Sequence, residues 1–407
     1  MLRKILKGLG ALVGLIILGV VGLVGYVNHK VGKTYDVPLP NIQRATSPEA
    51  LARGEMIYHS ICAECHAPAG ETQAMGAPLL DYPPELGTFH SANITSDPVA
   101  GVGNMKDEEI ARMIIYSINR EGKARLMPAF YGMSDEDVAA VIGYMRSDRP
   151  EFAPSPKKAP PSEPAFGGKA VMALVAGIRS EPRASVKAPP KGPSVEYGKY
   201  LAVGVYDCVM CHTVGFGSSD TKLKDPGLFA GGFEFDLKAY GGQGFMYSPN
   251  ITPHETQGIG KWNLEQFKLS LTQGVTPDGY ILRKPMPRYR YLDDVEIAAM
   301  FAYLKGVPAV ATPKVAHEAV PRPKADKAAD PEKLFSSLGC SYCHGPNGQF
   351  RDRLKQAMGK QPEDVAKWIR NPESFKPGTQ MPTFATLLDE TQALDLAKWV
   401  QAKNGTP

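Results

Sequence analysis

Cys62-Ala63-Glu64-Cys65-His66, Cys208-Val209-Met210-Cys211-His212 and Cys340-Ser341-Tyr342-Cys343-His344 together use all six cysteines of this 407-residue chain. Each reads Cys-x-x-Cys-His, the pattern that attaches haem c. Two thiols three positions apart reach the two vinyl groups on one haem edge. The histidine that follows then comes under the iron as the proximal ligand. Other readings fit poorly. A structural zinc needs four ligands, normally from two Cys-x-x-Cys pairs in one small domain. A thioredoxin-type pair does not require a histidine beside it three times over. A disulfide framework suits far shorter chains. Three covalent haem c groups are therefore expected. Cys62 and Cys65, Cys208 and Cys211, and Cys340 and Cys343 hold them, and His66, His212 and His344 are iron ligands.

A haem that only transfers electrons has both axial positions filled, and a methionine there raises its potential. Each segment supplies a methionine followed by proline: Met127-Pro128, Met286-Pro287 and Met381-Pro382. Proline fixes φ and removes a donor, which helps to hold a loop against a haem. A methionine is ordinarily core filler. Three Met-Pro pairs at one relative position, each before a helix start, instead mark Met127, Met286 and Met381 as distal ligands. Met105, Met133, Met246 and Met358 are the competitors. A bis-histidine haem would draw on His90 or His254. His59 is expected to be solvated or packed on the helix before the first motif, and His29 and His317 lie in flanking sequence. Arg125, Arg283, Arg288 and Tyr289 lie near the methionines as propionate partners or as plain surface residues.

Three units follow, each with an opening helix, the Cys-x-x-Cys-His motif, a long loop region, Met-Pro and a closing helix. Ser47-Pro48-Glu49 opens unit one, with serine as N-cap and proline at the first helical position. Unit two leads in from Val195 to Tyr206, and unit three from Asp330-Pro331-Glu332. The closing helices start at Ser134-Asp135-Glu136-Asp137, Asp293-Asp294-Val295-Glu296 and Asp389-Glu390-Thr391-Gln392, each resembling a capping box. Each carries one late aromatic, Tyr144, Tyr303 or Trp399, expected to pack on the opening helix. Units one and two also share Asn93-Ile94-Thr95 with Asn250-Ile251-Thr252, and Gly101-Val102-Gly103 with Gly258-Ile259-Gly260. These shared elements read as a duplication, and unit three lacks them.

The chain holds 36 prolines, and they cluster between the motifs. The expected division is 1–30 an N-terminal transmembrane anchor, 45–150 domain one, 151–190 a connector, 191–310 domain two, 311–328 a linker and 329–407 domain three. Inside the first connector, Val171 to Ile178 is apolar and too short to span a bilayer. It reads as a helix packed on a haem domain, with membrane-surface contact as the lesser option. From Gly8 to Val27 no residue is charged, and at ~1.5 Å per residue this run crosses the ~30 Å hydrocarbon core. Arg3, Lys4 and Lys7 precede it, which suits a cytoplasmic N-terminus. The run exceeds a signal-peptide core and no small-residue cleavage site follows, so it reads as an uncleaved anchor. Haem c is attached outside the cytoplasmic membrane, so the haem domains are expected on the periplasmic side. The formal charge of +4 is mild and no basic tract occurs, so nucleic-acid binding is not expected.

CAECH with LMP, CVMCH with PMP, and CSYCH with QMP each resemble a class I cytochrome c domain. The resemblance implies a mainly α fold of three tandem class I cytochrome c domains after one N-terminal transmembrane helix. Units one and two resemble the cytochrome c subunit of membrane-bound alcohol and gluconate dehydrogenases. Asn250-Ile251-Thr252-Pro253, Gly258-Ile259-Gly260-Lys261-Trp262 and their counterparts from Asn93 carry that likeness. In unit three, Trp368-Ile369-Arg370-Asn371-Pro372 and Pro377-Gly378-Thr379-Gln380-Met381-Pro382 resemble the mono-haem domains beside respiratory oxidases. The implied function is electron transfer in a periplasmic respiratory chain. The alternative is the electron-transfer subunit of a membrane-bound dehydrogenase delivering electrons to quinone. The implied partners are redox proteins (a dehydrogenase, a quinol-oxidising complex or a terminal oxidase) and the membrane. No catalytic constellation and no small-molecule substrate of its own are expected.

Overall fold

A long helix, α1 (Leu2–Gly32), leads the chain, and its apolar side chains from Ile5 to Leu23 stand exposed. The computed structural model describes all residues except 1, 69–70, 80–81, 83, 175–179, 216–221, 241–242, 322–329, 347–349, 377–378, 380 and 405–407. Unit one begins with α2 (Pro48–Ile57), capped by the Ser47 side chain as its Ser-Pro-Glu start predicts. A π-helical turn over Tyr58–Cys62 follows and runs into α3 (Ala63–His66), so the motif spans the two. The region before the methionine is not all loop. It holds a short strand, β1 (Gly87–Thr88), and a helix, α4 (Asp107–Tyr116), that buries Ile110, Ile114 and Ile115. The closing helix α5 (Asp135–Met145) packs on α2.

The connector forms β2 (Glu163–Pro164), antiparallel to β1, and then α6 (Phe166–Leu174). Gly168 lies so close to the Leu86 carbonyl that a Cβ would fall 2.1 Å from its oxygen. Helix α6 therefore packs on unit one, with Val171, Met172 and Ala173 of the apolar stretch half-buried and Leu174 exposed, and the remainder of Val171–Ile178 lies outside the described residues. This helix also packs on α1.

Unit two repeats unit one. Its opening helix α7 (Val195–Lys199) runs into a π-helical turn at Tyr200–Val205, and α8 (Cys208–His212) carries the motif. Two strands, β3 (Glu234–Asp236) and β4 (Phe245–Tyr247), pair antiparallel with Phe235 opposite Met246. Then come α9 (Leu264–Thr272), started by a capping box of Asn263 and Gln266, and the closing helix α10 (Asp294–Gly306). Unit three has α11 (Pro331–Ser337), α12 (Cys340–His344), α13 (Pro362–Arg370) and α14 (Glu390–Asn404). The Pro-Gly-Thr-Gln stretch before Met381 falls partly outside the described residues.

Opening and closing helices cross at glycine in the first two units. A Cβ on Gly54 would lie 2.1 Å from the Ala140 carbonyl oxygen, and one on Gly198 would lie 1.9 Å from that of Ala299. Tyr144 and Tyr303 flank these crossings as expected. In unit three Trp399 packs on Phe335 at 5.1 Å between ring centroids. Units one and two share one continuous core, whereas unit three builds a second core that Ile281 of unit two joins.

The capping-box expectation holds only for unit three, where the Asp389 amide donates to Gln392 and the Gln392 amide to Asp389. Ser134 and Asp293 do cap α5 and α10, but the acids three residues on turn away. Asp137 accepts from Nε and Nη2 of Arg53, each at 2.8 Å, and from the Tyr200 hydroxyl at 2.6 Å. Glu296 is 0% exposed. It accepts from Arg53, from Tyr197 at 3.2 Å and from Tyr206 at 3.4 Å. One guanidinium thus bridges two buried carboxylates across the junction of units one and two. Repeated N-cap chemistry has been diverted into an interface.

Candidate haem-binding site

In units two and three the whole motif sits on one short helix, and in unit one Cys62 ends the π-helical turn that runs directly into α3 with Cys65 and His66. All six thiols are free of disulfides. Burial pushes the thiols of Cys62, Cys208 and Cys340 up to about 12. No three His, Cys, Asp or Glu side chains converge as a metal-ion site among the described residues.

The three histidines share one geometry. Nδ1 of His66 meets the Ala92 carbonyl at 2.8 Å, that of His212 meets the Pro249 carbonyl at 2.8 Å, and that of His344 meets the Phe350 carbonyl at 2.9 Å. A carbonyl only accepts, so each Nδ1 carries the proton and each Nε2 keeps its lone pair for a metal. Burial lowers the pKa of all three rings, which favours this neutral form.

The repeated Asn-Ile-Thr holds that carbonyl in place. Asn93 Oδ1 accepts from the Thr95 amide at 2.8 Å and from its hydroxyl at 2.7 Å. Its amide group donates to the Ser155 and Lys157 carbonyls at 2.9 Å. Asn250 does the same with the Thr252 amide at 2.8 Å, the Thr252 hydroxyl at 2.6 Å and the Val310 carbonyl at 2.7 Å. Each asparagine directly follows the residue that accepts from the histidine. The repeated glycines let the chain close over this loop: a Cβ would lie 2.3 Å from the Thr95 oxygen at Gly101 and 2.2 Å from the Thr252 oxygen at Gly258. Unit three needs none of this, because Phe350 lies six residues beyond its histidine.

Met127, Met286 and Met381 are half-buried at the edges of the two cores. Met105 and Met358 are half-buried too, while Met133 and Met246 lie inside the protein. His254 Nδ1 accepts from the Gln257 amide at 3.2 Å, and His317 pairs with Glu234 at 2.6 Å. His59 contacts Tyr144 at 3.1 Å and stacks on Tyr291 at 4.3 Å between centroids. His29 stays exposed on α1, and among the described residues the buried Nδ1 of His90 has no partner.

The Met286 loop is the meeting point of the units. Lys284 pairs with Glu64 of the first motif at 3.3 Å. Arg290 pairs with Glu373 and donates to the Thr379 carbonyl at 2.8 Å and the Met381 carbonyl at 3.0 Å. Arg288 donates to the Leu282 carbonyl, but among the described residues its buried Nη1 has no partner. A Cβ on Gly274 would occupy the place of this guanidinium. A buried arginine beside Arg290 with an unpaired arm fits an anionic group such as a haem propionate. Arg283 instead donates to the Val320 carbonyl at 3.2 Å. Sequence reading passed over Lys222, whose Nζ donates to the Met210 and Thr213 carbonyls at 2.5 and 3.0 Å and closes the end of α8. Only the fold brings it there.

The comparisons with known proteins agree with this architecture. The family described as "Cytochrome c" matches residues 195–308. The family described as "Cytochrome C oxidase, cbb3-type, subunit III" matches 49–145 and 326–400, so it covers unit one as well as unit three. Over 135 residues the chain is 36% identical to the fructose dehydrogenase cytochrome subunit of Gluconobacter japonicus, covering 32% of this chain and 25% of that protein. It is 23% identical to the cytochrome c subunit of the alcohol dehydrogenase (quinone) of Gluconacetobacter polyoxogenes, over 84% of this chain and 78% of that protein. The gluconate 2-dehydrogenase cytochrome c subunit of Pantoea cypripedii is 23% identical over 87% of this chain and 86% of its own length. Domains of this kind hold haem c covalently, and the chain is a mainly helical protein of cytochrome c domains behind one apolar N-terminal helix.

Proposed function

We propose that this chain is the electron-transfer subunit of a membrane-bound dehydrogenase and that it carries three haems c. The observation that carries the reading is the repeated histidine: three rings, each with Nδ1 bound to a carbonyl and Nε2 left for iron. Each haem supplies an iron that accepts and releases one electron. Cys62 and Cys65, Cys208 and Cys211, and Cys340 and Cys343 would hold the porphyrins. His66 with Met127, His212 with Met286, and His344 with Met381 would hold the irons. Met133 and Met246 are spent on packing, which favours the Met-Pro residues over them.

Relatives named as cytochrome subunits of fructose, alcohol and gluconate dehydrogenases support this role over that of a stand-alone carrier. The active site then lies on a partner chain, and quinone is the acceptor class. A terminal oxidase as acceptor is the second reading, favoured by the oxidase-subunit match to units one and three. The proposed domains keep the boundaries 45–150, 191–310 and 329–407, with α1 as the anchor and the haem domains on the periplasmic side.

Purifying the chain from its native membrane tests both points. The expected result is three haems per chain, all reduced when the dehydrogenase's substrate is added, and a co-purifying dehydrogenase. Two haems or fewer would remove the triple assignment. A co-purifying haem-copper oxidase without a dehydrogenase would overturn the partner.

A further inference from the structure

Among the described residues, the connector helix α6 leaves one apolar side exposed at Phe166 and Leu174, with Ala170 half-buried between them. Phe166, Ala170 and Leu174 recur at i, i+4 and i+8, one side of a helix. Phe166 is 45% exposed and Leu174 is 54% exposed. Gly168, on the opposite side, is the residue seated against Leu86 and Phe89 of unit one. The exposed face is therefore the one turned away from the haem domain. One charged residue, Lys169, interrupts the helix.

The position of α6 says what lies beside that face. It packs on α1. Among the described residues of α1, only Val24, Val27, Lys30 and Val31 are covered, and the rest are exposed. These four lie on one side of its last two turns, where the uncharged run ends at Val27 and His29 and Lys30 begin. That level is the water–hydrocarbon boundary of a helix that crosses a bilayer. An apolar face held at this depth meets headgroups and acyl ends rather than bulk water.

We infer that α6 is a second membrane-attachment element, whose Phe166–Leu174 face lies in the outer interface of the lipid bilayer beside the anchor. The inference rests on the reading of α1 as an anchor. A helix that crosses alone leaves a domain free to swing on its tether. A second contact several residues wide fixes which side of unit one faces the membrane.

Single cysteines for a spin label, at Phe166, Leu174, Leu15 and Lys355, in the full haem-loaded chain reconstituted into phospholipid vesicles, test this. Collision with oxygen, which concentrates in lipid, is compared with collision with a water-soluble nickel chelate. Oxygen is expected to dominate at 166 and 174 as at 15, with nickel dominant at 355 in unit three. Nickel dominance at 166 and 174 with oxygen dominance at 15 would overturn the inference and leave the anchor standing. Nickel dominance at 15 as well would remove both. Collision with neither probe at 166 and 174 would assign the face to another protein and equally overturn it.

Discussion

The proton on each motif histidine is placed by a single carbonyl, and in units one and two that carbonyl is held by an asparagine side chain next to it. Removing the brace without touching the histidine isolates this effect. Asn250→Ala leaves the buried Thr252 amide without its acceptor, at roughly 1–3 kcal/mol, while the Thr252 hydroxyl still donates to the Val310 carbonyl at 3.2 Å. Lower stability is expected, together with a shifted midpoint potential for one haem only, read by spectroelectrochemical titration. A second residue-scale effect concerns His59. Burial lowers its pKa below 6.5 against the opposing pull of Glu151 and Glu55. The unfolded chain then binds more protons than the folded one between the lowered value and 6.5. Stability is therefore full above about 6.5 and falls as the pH drops through that window. His59→Phe should flatten the slope in denaturant titrations at successive pH values. The Cys-x-x-Cys-His motifs were legible because their chemistry is written within five consecutive residues. The bracing role of Asn-Ile-Thr was visible only as a repeat, since its target carbonyl meets a histidine 26 residues away in unit one.

At the scale of elements, two helix crossings depend on the absence of a Cβ. An alanine ordinarily stabilises an exposed helix by up to ~1 kcal/mol relative to glycine. At Gly54 and Gly198 the sign should reverse, because a Cβ would fall 2.1 Å and 1.9 Å from carbonyl oxygens of the partner helix. Separating the helices is expected to cost about 1–3 kcal/mol at each site, seen as a lower thermal midpoint for Gly54→Ala and Gly198→Ala. The helices α4, α9 and α13 belong to this scale too. They sit where the sequence promises a long loop, because each is a short amphipathic stretch of nine or ten residues. The capping box of Asn263 and Gln266 was the available signal for α9.

For the whole molecule, Arg53 bridges Asp137 and Glu296 between units one and two. Its loss leaves two buried carboxylates without a charge partner, a cost of roughly 3–5 kcal/mol. Arg53→Met should lower the denaturation midpoint strongly. Adding Asp137→Asn and Glu296→Gln should recover much of the loss, which a merely local packing defect would not allow. Arg290 ties the Met286 loop to the Met381 loop in a similar way. Arg290→Gln is expected to weaken the methionine-to-iron charge-transfer band of one haem while haem content stays unchanged.

The sequence by itself determined what local spacing can write: three Cys-x-x-Cys-His motifs, the Met-Pro repeats, the helix starts, the apolar run before His29, and the Asn-Ile-Thr and Gly-x-Gly elements that the first two units share. Tertiary structure alone decided where the acids of two apparent capping boxes point, which loop joins the three units, and which side of α6 is bare. The physical reason is distance along the chain. A capping box is satisfied within four residues, but Arg53 lies 243 positions from Glu296. A carboxylate takes the stronger partner once folding brings a buried guanidinium within reach.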